Sequence, residues 1–161
     1  NLAIAFARNG KNTLLLDCDL RTTSQYSLHN LKRRGVTDWV EKTRKENRMP
    51  PLAEFLQSMT GVENLAVLTS GPAPDNPISQ FKSAEFHSLM EKLKAAYDVI
   101  IIDSPSMGMA AEGLVLAGYA DQVLWVNSAL DSDYRVARDG VQHLRSAKVA
   151  HVALLFNKLI A

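Results

Sequence analysis

The run Val99-Ile100-Ile101-Ile102, closed by Asp98 and Asp103, sets the tightest limit on how this chain folds. Four β-branched residues in a row offer no polar face to water. The strand they predict is therefore buried on both sides, as in a parallel sheet with helices above and below. It reads as the clearest buried strand in the chain. Thr13-Leu14-Leu15-Leu16 running into Asp17 has the same character, as does Leu65-Ala66-Val67-Leu68. Gln122 to Val126, ending at Asn127, and Val149 to Phe156, ending at Asn157, complete the set.

Helical patterns lie between these runs. Leu2, Phe6 and the alanines around them make an apolar surface stopped by Asn9-Gly10. Phe86, Leu89, Met90, Leu93 and Tyr97 fall on one helix face, with Ser83 placed to cap it. Ala110 to Ala120 reads as a helix. Tyr134, Ala137, Val141 and Leu144 mark an amphipathic one, with Asp131 or Ser132 near its start. The stretch from Thr22 to Asn64 is less regular and predicts two or three short helices, one carrying Leu52, Phe55, Leu56 and Met59. Thr69 to Pro77, with three prolines and a glycine, is a loop. The alternation gives an α/β fold, with a mostly parallel sheet flanked by helices.

Length and composition exclude several classes. The 161 residues suit about one domain with a real core. A net charge of +1 gives no general pull toward nucleic acid, and none is expected as a partner. One cysteine, Cys18, precludes an intrachain disulfide. No apolar run reaches the about 18 residues of a membrane span. The seven basic residues between Lys32 and Arg48 read as a solvated, partly paired face. The chain opens at Asn1 directly into a helical pattern, which reads as a fragment whose upstream part has been cut away. A processed terminus is the alternative.

Ligands of open parallel sheets bind beyond the carboxyl ends of the strands. The first strand ends in Asp17-Cys18-Asp19-Leu20-Arg21 and the third in Asp103-Ser104-Pro105. Three carboxylates on one rim would suit Mg²⁺, which takes one or two carboxylates with phosphate oxygens and water. A carboxylate there could also accept a proton from an attacking hydroxyl. Asn9-Gly10-Lys11-Asn12-Thr13 is not a phosphate loop: it leaves a helix and enters a strand, with Asn12 after the lysine. His29, His87, His143 and His151 lack ligand spacing for zinc. Cys18 sits between two aspartates, which raise its pKa and argue against a reactive thiolate.

Leu14-Leu15-Leu16-Asp17-Cys18-Asp19-Leu20-Arg21 and Val99-Ile100-Ile101-Ile102-Asp103-Ser104-Pro105 resemble two Walker-type motifs of the deviant-Walker P-loop ATPases. Gly71-Pro72, Asn76-Pro77 and the Phe86 helix resemble one branch, the bacterial tyrosine autokinases of capsule and exopolysaccharide export. The resemblance implies a P-loop NTPase-like three-layer sandwich and an ATP-dependent tyrosine autokinase or ATPase domain that regulates polysaccharide polymerisation and export. It implies ATP and Mg²⁺ as cofactors. Asp103 would hold Mg²⁺ through water, Asp19 would help the metal, and Asp17 would lie near the attacking tyrosine hydroxyl or water. Asn157 would contact the adenine, and Arg21 would support the loop or a neighbouring subunit. A homo-oligomer is implied, at the cytoplasmic face of the plasma membrane, with a membrane-bound polysaccharide-export partner or a fused membrane segment.

The chain departs from that pattern at its start. The sandwich's first strand and the Gly-rich phosphate loop would lie upstream of Asn1. Residues 1–161 then form a single P-loop domain short of its beginning, expected to be unstable and inactive alone. Two other readings stay open: a partitioning or positioning ATPase, and a non-catalytic scaffold that lacks the phosphate loop.

Overall fold

A computed structural model describes residues 1–20, 31–106, 111–128, 134–147, 149 and 151–157. Asn1–Pro105 and Ser106–Ala161 form two compact units.

The first unit opens with α1 (Leu2–Arg8), which stops at Asn9-Gly10 as the sequence predicts and feeds β1 (Thr13–Asp17). Then come α2 (Val36–Glu46), a 3-10 turn (Leu52–Glu54), β2 (Gln57–Ser58) and β3 (Leu65–Leu68). The unit closes with α3 (Pro77–Phe81), α4 (Ala84–Ala96) and β4 (Val99–Asp103). Its sheet runs β2-β3-β1-β4. β1 pairs in parallel with β3 and β4, and the two-residue β2 adds an antiparallel margin on β3.

Side chains alternate across the sheet. Leu15, Leu65 and Ile101 meet Ala3 and Ala7 of α1 on one face. Leu14, Leu16 and Leu68 turn to the other and are fully buried. α4 lays Phe86, Leu89, Met90 and Leu93 into the core, and its start is capped by the Ser83 hydroxyl, which accepts the Phe86 N–H at 3.1 Å. At the usual order of ~2 kcal/mol for a fully buried large apolar side chain, such residues dominate the unit's stability.

Two expectations need correction. Leu52 to Met59 is not a helix: after one 3-10 turn the chain extends, and Gln57 and Ser58 pair with Val67 and Ala66. Pairing to a free strand edge outweighs a helical spacing only two turns long. β4, expected to be the clearest buried strand, is half-buried at every residue. Among the described residues it stands at the end of the strand order, paired with β1 alone, while β1 is covered from both sides.

The basic stretch is the paired face expected. Arg34 and Lys42 meet Glu54 at 3.2 and 2.9 Å, Arg44 meets Glu85, and Lys45 meets Glu41. The Arg34 guanidinium also lies 4.5 Å over the Phe55 ring.

The second unit holds α5 (Glu112–Ala117), β5 (Val123–Ser128), α6 (Tyr134–Ser146) and β6 (Val152–Asn157). α5 is shorter than the helix expected over 110–120, and Asp131 and Ser132 lie outside the described residues. β5 and β6 pair in parallel. Gly140 of α6 gives room to the Trp125 ring of β5, whose indole N–H donates to Asn127 Oδ1 at 2.9 Å.

Candidate functional site

The parallel ladder between β1 and β4 ends with Asp17 opposite Asp103. Alternation puts Asp17 on the face of Leu15 and Asp103 on that of Ile101, so both carboxylates stand on the side covered by α1. The ladder continues one step further, where the Cys18 N–H donates to the Asp103 carbonyl at 2.8 Å. That bond fixes the turn after β1 against the end of β4.

Asp17 then folds the chain back on itself. Its Oδ1 accepts the Asp19 N–H at 3.1 Å, an Asx-type turn that sets the half-buried Asp19 just beyond it. Its Oδ2 is buried with no hydrogen-bond partner. Burial is the main reason the Asp17 pKa rises to about 6. Asp103 adds to the rise by repulsion, while the Asp19 amide and the Ser70 hydroxyl and amide hold it down. Cys18 is fully buried, and its pKa is pushed well up, first by burial and then by Asp17 and Asp103. The aspartates act as expected, but desolvation is the larger cause. The thiol is inert.

Ser70 is the site residue that sequence reasoning missed. It lies in the loop directly after β3, the other neighbour of β1. The loop is sewn to the start of α2. The Val36 and Thr37 N–H groups donate to the Thr69 and Ser70 carbonyls at 2.8 and 3.1 Å. The Thr37 hydroxyl donates to the Ser70 carbonyl, and the Thr69 hydroxyl bonds the Lys32 and Arg34 carbonyls. Two glycines allow this closeness. A Cβ on Gly35 would fall 1.8 Å from the Thr69 carbonyl oxygen. Gly71 has φ +82°, and a Cβ there would fall 2.3 Å from Thr37 Oγ1. The available signal was positional, a hydroxyl two residues past the end of the strand adjacent to β1.

Asp17, Asp19 and Asp103 thus come together at the ends of adjacent strands. Arg21 lies outside the described residues. Asn157 is exposed at the end of β6 in the second unit, in register with Ser128. Among the described residues, no three His, Cys, Asp or Glu side chains close into a metal-holding group. The rim offers hard oxygen donors, which suit a Mg²⁺ ion that completes its shell with phosphate and water. The unpartnered Asp17 Oδ2 leaves one such donor in reserve. A depression of about 480 Å³ between Ser58 and Leu65 lies at the opposite end of β3 and takes no part in this rim.

No protein-family model matches the chain. Tyrosine-protein kinase CpsD of Streptococcus pneumoniae is 27% identical over 99% of this chain and 68% of its own length. Tyrosine-protein kinase YwqD of Bacillus subtilis is 30% identical over 98% of this chain and 64% of its own. Among solved structures, the chimerical protein CapA2B2 superposes with a TM-score of 0.90 at 25% identity, over all of this chain and 69% of that one. The VpsO kinase domain gives 0.83 at 28%, over 96% and 74%. The MinC:MinD complex of Aquifex aeolicus gives 0.77 at 22%, over 99% and 62%, a likeness of fold.

Proposed function

We propose, from the premise that this chain is a homologue of the bacterial tyrosine-protein kinases, that it supplies the carboxylate side of an ATP-dependent tyrosine autokinase site. The observation that carries this reading is the in-register pair Asp17 and Asp103, with Asp17 Oδ2 buried and unpartnered. The chain spans about two thirds of its relatives' length, so the activity of the whole protein is part of the proposal.

Phosphoryl transfer asks the protein for positioning and charge neutralisation. Magnesium, when bound, would neutralise charge on the ATP phosphates. Asp103 and Asp19 would hold it, largely through water. Asp17 would accept the proton of the attacking tyrosine hydroxyl. With a pKa of about 6 it is mostly ionised at neutral pH and still basic enough for that task. The bond that forms joins the tyrosine oxygen to the γ-phosphorus, and ADP leaves. Asn157 would contact the adenine, and Arg21 the phosphate-site loop or a neighbouring subunit of a homo-oligomer.

No helix among the described residues is long and apolar enough to cross a membrane. In this reading a polysaccharide-export partner or a fused segment holds the protein at the inner membrane face, where phosphorylation regulates polymer export. The test is incubation of the intact protein with ATP and Mg²⁺, read by phosphotyrosine detection. A signal that requires both is expected. Steady ATP hydrolysis with no phosphotyrosine would instead indicate a positioning-type ATPase.

A further inference from the structure

Ser70 is 1% exposed, and its hydroxyl has no hydrogen-bond partner. Asp17 Oδ2 is likewise buried and unpartnered. Two such atoms are costly singly and more so together, because each buried polar group without a partner forfeits about 1–3 kcal/mol of hydration. They are also neighbours. The β1–β3 ladder pairs Leu16 with Leu68, which sets Asp17 and Ser70 one and two residues beyond that pair on adjacent strands. The backbone of Ser70 is not free to drift, since its carbonyl takes both the amide and the hydroxyl of Thr37. What remains adjustable is the rotation of the hydroxyl about the Cα–Cβ bond, and that of the Asp17 carboxylate.

We propose that Ser70 is a positioning residue for Asp17: its hydroxyl closes onto Oδ2 when the site is loaded and fixes the carboxylate toward the attacking group. The donor and acceptor are complementary, and the Asx turn already anchors Oδ1. One further bond at Oδ2 would leave the carboxylate a single orientation. This rests on the kinase reading of the same rim. It goes further by giving the loop after β3 a role in chemistry rather than in folding alone.

The test uses the intact protein with Ser70→Ala and Ser70→Cys, the second keeping the side-chain volume while weakening the donor. Expected is a fall in kcat for tyrosine phosphorylation of about fivefold to tenfold in both, the net worth of one hydrogen bond. KM for ATP and the thermal shift produced by Mg²⁺ with ADP stay within about twofold of wild type. Without nucleotide, the Tm of Ser70→Ala stays within about 2 °C of wild type, because the hydroxyl makes no full hydrogen bond there to lose. Unchanged kcat overturns the proposal. So does a loss confined to Ser70→Ala, which would mean packing, or a nucleotide-free Tm lowered by about 4 °C or more, which would mean a structural serine. If wild type forms no phosphotyrosine, the kinase reading fails separately. The positioning role is then decided by phosphate release from ATP in the same variants.

Discussion

Asp17 and Asp103 end two parallel strands in the same register, and the next residue after Asp17 bonds back to the Asp103 carbonyl at 2.8 Å. The sheet therefore sets two carboxylates side by side before any ligand is considered. Burial raises the Asp17 pKa, and repulsion from the Asp103 charge held beside it adds to the rise.

That arrangement costs stability at high pH. The Asp17 pKa is 3.8 in an unfolded chain and about 6 in the fold. The folded state thus binds more protons between those values, and its stability falls as pH rises from about 4 to about 6. Above that window the full penalty, about 3 kcal/mol, is present. Asp17→Asn should raise the Tm relative to wild type at pH 8, lose that advantage at pH 4, and abolish phosphotyrosine formation. The same Tm difference at both pH values would refute a titrating Asp17.

The loop behind Ser70 depends on two residues without side chains. Gly35→Ala drives a methyl into the Thr69 carbonyl, which is backbone and cannot step aside. Gly71→Ala adds left-handed strain to a clash with Thr37 Oγ1 and Asp38 Oδ2. Each should cost about 2–4 kcal/mol in urea denaturation, with Gly35→Ala the worse. A neutral Gly35→Ala would contradict the close approach of loop and helix.

The two tryptophans report on different units. Trp39 is fully buried in the first, with its indole N–H bonded to the Pro50 carbonyl at 3.2 Å. Trp125 packs on Gly140 in the second. In a Trp39→Phe background, Gly140→Ala should red-shift the remaining emission and lower the transition it follows. An unchanged spectrum would mean that Trp125 does not rest on that glycine.

Much of this was legible in the sequence, for identifiable reasons. Apolar runs closed by aspartate marked β1 and β4 and put a carboxylate at the end of each, while the pairing of Asp17 with Asp103 is set by the sheet register. Asn9-Gly10 and Ser83 marked helix ends because capping chemistry is local. Leu52 to Met59 misled because a helical spacing over eight residues does not reveal a free strand edge nearby. β4 looked deeper than it is, since composition records apolarity but not how many neighbours a strand has. Ser70 was invisible as a site residue, because its place beside Asp17 comes from the order β3-β1-β4 and not from any motif.

The most direct test of the whole account replaces Asp103 by alanine in the intact protein and measures phosphotyrosine formed with ATP and Mg²⁺. The side chain is half-exposed at a strand end, so the fold should survive, as a circular dichroism melt would register. The account predicts loss of phosphotyrosine with a cooperative melt retained. Phosphorylation at the wild-type rate in Asp103→Ala would contradict it.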